Sequence, residues 1–251
     1  MARWLAERHS LAAELALVLG LYALYQTTRG VVAGDRTVAV DHARTIAALE
    51  RSLHVFHEAQ VQSLARDVPG LLGMLGVLYL TLHLAVTGCV LLWLHRRRRG
   101  AYPVVRNALL LASGLALIGF VAFPTAPPRL AALGIGDTVS RRSLDLDHGL
   151  VSTLYNPYAA VPSMHIAYAG IVGASLVVYG RHRLLRAAGL VYPALQLVVI
   201  VSTGNHFFFD AATGAVVAAF SLGVAVAPTS TPIRRAAARV RLAAPVDACA
   251  P

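Results

Sequence analysis

The sequence predicts an all-α integral membrane protein, a bundle of six transmembrane helices with an additional amphipathic helix on the extracytoplasmic side. Of its 251 residues, 57% are hydrophobic and only 14% are charged, whereas a soluble domain usually has about 25% charged residues. The hydrophobic residues are gathered in six runs, each near the ~20 residues that a helix needs to cross a bilayer. Because lipid offers the backbone no hydrogen-bond partners, such runs must be helical. A soluble α-helical protein is the weaker alternative.

The six predicted spans cover residues 11–25, 71–94, 102–123, 163–179, 184–201 and 207–227. They define one membrane domain, residues 1–228. The following segment, 229–251, is rich in alanine, proline and arginine, and we expect a disordered cytoplasmic tail there. The first span has a basic start and a passable cleavage site at 32–34, so a signal peptide is an alternative; the charged Glu14 within the run disfavours it.

Between the first two spans, residues 35–67 are polar, with apolar side chains at three- and four-residue spacing. Ile46, Leu49, Leu53 and Phe56 form this series. The spacing is typical of an amphipathic helix, and we expect it to lie at the membrane interface and pack on the bundle.

Arginines determine the predicted orientation, because positively charged loops stay in the cytoplasm. In a six-span arrangement, 14 of the 22 basic residues fall on one side, in the segments 3–8, 96–106, 181–186 and 234–241. The formal charge of +10 therefore reflects topology, and nucleic acid is not an expected partner. Both termini are predicted to be cytoplasmic and the loop 124–162 extracytoplasmic. All basic residues are arginine, which favours a GC-rich bacterial source and hence the plasma membrane.

Three segments that carry reactive side chains, residues 123–129, 162–165 and 203–210, lie on the predicted outer side. His206 and Asp210 are four residues apart, so on a helix they share one face. The aspartate can orient the imidazole and leave its other nitrogen nucleophilic. A polar pair that only caps or joins helices is the alternative. His165 follows Pro162 and Ser163 at a helix start, where an anion is attracted and a histidine can act as a general acid.

Further candidates are weaker. Arg129 ends a proline-rich turn and can bind phosphate oxygens in a bidentate manner, or it can extend toward the interface as a snorkelling side chain. Arg141 and Arg142 are candidates for contact with a substrate head group, with solvated loop charges as the alternative. Two sets of polar residues lack convincing spacing for a metal site, so we predict no metal; they are His54, His57 and Glu58, and Asp145, Asp147 and His148.

In these motifs the chain resembles the type 2 phosphatidic acid phosphatase superfamily, whose pattern is K-x6-R-P, then P-S-G-H, then S-R-x5-H-x3-D. Residues 162–165 match the second element with Met164 in place of glycine, and residues 206–210 match the end of the third. The chain has no lysine for the first element, and Val199 and Ile200 replace Ser-Arg in the third. The stretches 49–62, 123–129, 156–158 and 203–206 look more like the inositol phosphorylceramide synthase branch and its bacterial relatives.

The resemblance implies a six-span enzyme in which His206 forms a phosphohistidine. Asp210 would orient it, and His165 would protonate the leaving group and later activate the acceptor. Arg129, Ser163 and Asn205 would contact the phosphate. The resemblance implies no metal or organic cofactor.

Two hypotheses follow for an enzyme, and one for a protein without catalysis. The first is transfer of a phosphoryl or phospho-alcohol group, such as phosphoinositol, from a lipid phosphate or phospholipid donor to a lipid or alcohol acceptor. The second uses water as the acceptor, which makes the protein a lipid or polyprenyl phosphate phosphatase. The third is a lipid-binding or transport protein with the same fold; intact histidines and the absence of an interrupted span disfavour it.

Overall fold

The computed structural model describes residues 11–31, 34–138 and 156–242, and in these ranges the regular structure is helical. The helices are α1 (Leu11–Val31), α2 (Arg36–Ser52), α3 (Glu58–Arg66), α4 (Leu71–Arg97), α5 (Tyr102–Ala122), α6 (Met164–Tyr179), α7 (Arg183–Ser202) and α8 (Phe208–Leu242). A short 3-10 turn, Pro128–Leu130, follows α5. The all-helical prediction is confirmed for the described residues.

Membrane insertion is supported by five helices of the described chain that are long and apolar enough to cross a bilayer: α1, α4, α5, α7 and α8. The remaining predicted span, 163–179, corresponds to α6, which has only 16 residues, so the count of six is not confirmed. Serine and proline precede this helix, and Gly180 ends it with extended backbone. α6 is apolar and packs between α5, α7 and α8.

The predicted single amphipathic helix is instead two helices, α2 and α3, separated by residues 53–57. His54 adopts a left-handed backbone conformation, with φ of 58°, which interrupts the helix. The buried face also differs from the predicted one. Ala39, Ala43, Ile46, Ala47 and Glu50 are buried, whereas Leu49 and Leu53 are exposed. The small alanines allow α2 to lie close against the rest of the protein.

The acidic residue inside the first helix is paired. Glu14 of α1 is buried, and its carboxylate accepts hydrogen bonds from the Arg106 guanidinium at 2.7 and 2.8 Å and from the Tyr102 hydroxyl at 3.0 Å. A buried charge is tolerated in apolar surroundings when it is paired in this way. This contact fastens α1 to α5 and explains the acidic residue in the first apolar run.

The first and last helices are longer than the sequence predicts. α1 continues past Tyr25 to Val31, and α8 continues past Pro228 to Leu242, into the segment where we expected a disordered tail. Alanine and arginine, which are strong helix formers, dominate this last stretch. Residues 243–251 lie outside the described ranges.

Candidate active site

A cavity of about 520 Å³ lies at one end of the bundle. Helices α1, α4, α5 and α6, the 156–160 segment and the turn before α8 contribute to its wall. The lining residues used below are Tyr22, Tyr25, Arg29, Tyr79, His83, Phe120, Asn156, His165, Asn205 and His206. The arginine-rich turn at Arg96–Arg99 joins the far ends of α4 and α5. The cavity and the main basic cluster therefore occupy opposite ends of the bundle.

The structure brings His206 and Asp210 together. His206 Nδ1 lies 3.2 Å from Asp210 Oδ2, and the same oxygen accepts a hydrogen bond from the backbone N–H of Phe207 at 2.9 Å. Because the carboxylate accepts, Nδ1 carries the proton and Nε2 of His206 holds the lone pair. The arrangement therefore presents a nucleophilic nitrogen on a side chain that lines the cavity.

His165 occupies the same cavity with its ring edge-to-face against His206, the two centroids 5.5 Å apart. Its Nε2 lies 3.1 Å from the Tyr79 carbonyl oxygen, and its ring stacks on the Tyr79 ring at 4.4 Å. A carbonyl oxygen can only accept, so Nε2 of His165 carries a proton. Nδ1 is therefore the nitrogen that can exchange protons with a substrate.

A third histidine, His83, lines the cavity one turn after Tyr79 on α4. Its ring centroid is 4.1 Å from that of His165 and 6.5 Å from that of Tyr168. His83 belongs to none of the motifs that the sequence singles out. A histidine inside an apolar run is the available signal, because ionisable residues within spans are functional candidates by default.

Three carboxyl groups hold the start of α8, immediately after His206. The backbone N–H of Phe208 donates to Glu58 Oε1 at 3.1 Å, and that of Phe209 donates to Glu50 Oε1 at 2.7 Å. With the bond from Phe207 to Asp210, three successive N–H groups have acidic acceptors from α2, α3 and α8. The first N–H groups of a helix have no partner within the helix, so these contacts position the turn that carries His206.

The pKa of Glu50 is raised to about 9, first by burial and next by a hydrogen bond with Glu58. Glu50 is 2% exposed. A carboxyl that keeps its proton in the folded state stabilises the fold fully below its unfolded pKa near 4.5, and this contribution is lost as the pH rises toward 9. We therefore expect Glu50→Gln to raise the melting temperature in detergent at pH 8 and to have little effect at pH 5.

Asp41→Asn provides the matched control, because Asp41 is an exposed carboxylate on the same helix and pairs with the exposed Arg44. Its melting temperature should follow that of the unmodified protein at both pH values. If the melting temperatures of Glu50→Gln and of the unmodified protein changed in parallel between pH 5 and 8, Glu50 would be ionised in the folded protein.

Arg129, which the sequence predicts as a phosphate ligand, is not among the residues that line the cavity. It is 7% exposed; its Nε donates to Asn205 Oδ1 at 2.9 Å and its Nη1 pairs with Asp137 Oδ2 at 3.0 Å. Its backbone N–H donates to the carbonyl of Gly204, whose φ of 68° suits glycine. Arg129 thus stabilises the turn before His206 through contacts with Gly204 and Asn205. Asn205 does line the cavity.

Ser163 also lies elsewhere than predicted. It is fully buried, it does not line the cavity, and its backbone N–H donates to the Asp210 carbonyl at 3.0 Å. This bond joins the start of α6 to the first turn of α8 and so holds His165 near His206. The N–H is taken by the protein and is not available to an anion.

The remaining candidates do not add to the site. Arg141, Arg142 and the 145–148 set lie outside the described residues. Glu58 turns toward α8 and away from any metal arrangement with His54 and His57. Within the described ranges, no group of three or more histidine, cysteine, aspartate or glutamate side chains has a metal-binding arrangement.

Comparison with known proteins supports a family assignment. A family model described as the PAP2 superfamily, the type 2 phosphatidic acid phosphatases, matches residues 44–224. This range covers more than half of the chain and includes His165, His206 and Asp210. The comparisons find no matching curated protein and no matching solved structure.

Proposed function

The chain belongs to the PAP2 superfamily, and we propose that it is a membrane enzyme that transfers a phosphoryl or phospho-alcohol group from a lipid donor through a phosphohistidine on His206. Members of this superfamily are phosphatases or phosphotransferases that act on lipid phosphates. The observation that carries the proposal is the pairing of His206 Nδ1 with Asp210 at 3.2 Å, which leaves Nε2 of a cavity-lining histidine nucleophilic.

In the first step, Nε2 of His206 attacks the phosphorus atom of the donor. The bond from phosphorus to the leaving oxygen breaks, and that oxygen takes a proton from Nδ1 of His165, which enters the step as an imidazolium with protons on both ring nitrogens. In the second step, Nδ1 of His165 takes the proton from an acceptor hydroxyl, whose oxygen attacks phosphorus and releases His206. Asp210 stabilises the positive charge that the imidazole acquires.

The cavity wall supports a lipid as donor. Tyr22, Tyr25 and Phe120 line the cavity together with Leu80 and Leu84. Apolar and aromatic side chains of this kind favour a hydrocarbon chain, and the histidines lie where a polar head group would sit. Similarity to the inositol phosphorylceramide synthase branch favours a hydroxyl-bearing lipid over water as the acceptor.

We place the cavity on the extracytoplasmic side of the plasma membrane, with both termini in the cytoplasm. The arginine distribution supports this orientation, since the turn at Arg96–Arg99 lies at the end of the bundle opposite the cavity. A cysteine introduced within 124–138, in a chain without Cys89 and Cys249, should react with an impermeant thiol reagent in intact cells. Protection there and reaction at residues 96–99 would reverse the orientation.

Trapping the intermediate tests the reaction. Purified protein incubated with phosphatidic acid labelled in its phosphoryl group should acquire label that is lost in acid and survives alkali, as expected for a phosphoramidate. Chasing the labelled protein with water alone, and then with diacylglycerol, ceramide or polyprenol, distinguishes hydrolysis from transfer. Faster discharge by one lipid acceptor supports transfer, and equal discharge by water assigns a phosphatase. Absence of label and of turnover with a panel of lipid phosphates and phospholipids would favour a binding protein.

A further inference from the structure

The charge of the cavity comes from few residues. Among the described residues that line it, Arg29 is the only lysine or arginine, none is acidic, and three are histidines. Asp210, which pairs with His206, does not line the cavity and is fully buried. The described wall is therefore suited to an anion, and Arg29 is its permanently charged group.

Hydrogen bonds with Asn156 fix both the backbone and the side chain of Arg29. It lies in the last turn of α1, and its Nη2 donates to the Asn156 carbonyl at 3.4 Å. The Asn156 side-chain amide donates back to the Arg29 carbonyl at 3.0 Å, and the guanidinium carbon lies 5.9 Å from the centre of the Phe120 ring. A guanidinium held in this way is preoriented, so less side-chain entropy is lost when it binds a ligand.

The family pattern to which this chain is similar has basic residues that the chain lacks, since Val199 and Ile200 replace Ser-Arg. Arg129, which the sequence favours as a substitute, is engaged with Asp137 and Asn205 behind the His206 turn. Transfer of a phosphoryl group depends on positioning and on stabilising charge on the phosphoryl oxygens. Among the described residues that line the cavity, Arg29 is the one whose side chain can supply this charge.

We propose that Arg29 of α1 binds the phosphoryl oxygens of the substrate, opposite the two histidines. A guanidinium presents its N–H groups in a planar fork that matches two oxygens of a phosphate. This inference rests on the proposed function, and it assigns to the first helix, outside the family match at 44–224, a direct part in substrate binding. Arg129 acts as a positioning residue for the turn.

Binding of inorganic orthophosphate tests the assignment without catalysis. The purified full-length protein is titrated with orthophosphate in detergent, and the rise in melting temperature is converted to an apparent Kd. We expect Arg29→Gln to weaken binding by about 10- to 100-fold, the usual value of a charge-assisted hydrogen bond. Arg29→Lys keeps the positive charge but not the planar fork of N–H groups. Its apparent Kd for orthophosphate should therefore lie between those of Arg29→Gln and the unmodified protein. Arg44→Gln, a matched change at an exposed arginine of α2, should bind as the unmodified protein does.

Each result separates this inference from the proposed reaction. Orthophosphate binding by Arg29→Gln with the affinity of the unmodified protein would overturn the assignment, as would an unmodified protein that orthophosphate does not stabilise. If Arg29→Gln has a lowered melting temperature without phosphate, the Arg29→Lys titration decides. An affinity of Arg29→Lys for orthophosphate equal to that of the unmodified protein would then reject the assignment. Phosphate binding that depends on Arg29, without label on His206, would preserve this inference and exclude the phosphohistidine mechanism.

Discussion

His206→Gln should lower turnover by roughly 10⁴-fold or more, the loss seen when the nucleophile of a catalytic group is removed. His206 is 4% exposed and lines the cavity, and its contact with Asp210 is made through Nδ1, not Nε2. Glutamine is of similar size and can still donate to Asp210, so the turn before α8 should persist. The measurement is the initial rate with a labelled lipid phosphate, together with acid-labile label on the protein.

The matched control is His57→Gln, because His57 is exposed at the start of α3 and does not line the cavity. That variant should retain both turnover and labelling. Label that persists in His206→Gln would assign the nucleophile to another residue, and His165 or His83 would then be the next to replace. Full turnover by His206→Gln would exclude a phosphohistidine at this position altogether.

Asp210→Asn should lower turnover by about 10²- to 10⁴-fold, by analogy with carboxylates that orient a catalytic histidine. In the unmodified protein, Asp210 Oδ2 accepts hydrogen bonds from His206 Nδ1 and from the Phe207 N–H. Asparagine keeps one oxygen that can accept both. The fold should therefore survive, but the negative charge that stabilises the imidazolium is lost. The expected signature is slow formation of the labelled intermediate with little change in melting temperature.

Asp41→Asn is the control for this substitution, since Asp41 is an exposed carboxylate that pairs with Arg44. It should leave the rate of labelling unchanged. A rate for Asp210→Asn within about twofold of the unmodified protein would contradict the orienting role. A large fall in melting temperature would instead assign Asp210 mainly to capping α8.

Local patterns made part of the site predictable. His206 and Asp210 are four residues apart, and helical periodicity alone places such residues on one face, where the structure pairs them. His165 was found from its position at a helix start. Arg129 was selected by residue type, but the structure joins it to Asp137 and Asn205. A nearby acidic residue in a loop gave no signal of this pairing, because the loop conformation decides which groups meet.

Contacts between distant parts of the chain explain what sequence analysis missed. Glu50 and Glu58 reach the start of α8 across 159 and 150 residues, and no periodic pattern specifies such a pairing. His83 lies within an apolar run and Arg29 follows one, so no local motif marks either residue as part of a site. Their relevance follows only from the packing of α1 and α4 around the same cavity.

The sequence by itself determined the helical, membrane-embedded class of the protein and the local pair at the start of α8. Both depend on burial of apolar runs and on spacing within one helical turn, which are properties of short segments. The tertiary structure decided the division of the predicted amphipathic segment into α2 and α3, the short length of α6, and which arginine faces the cavity. These features depend on how separate helices pack and on which buried polar groups find partners, and both are set by contacts between segments far apart in the chain.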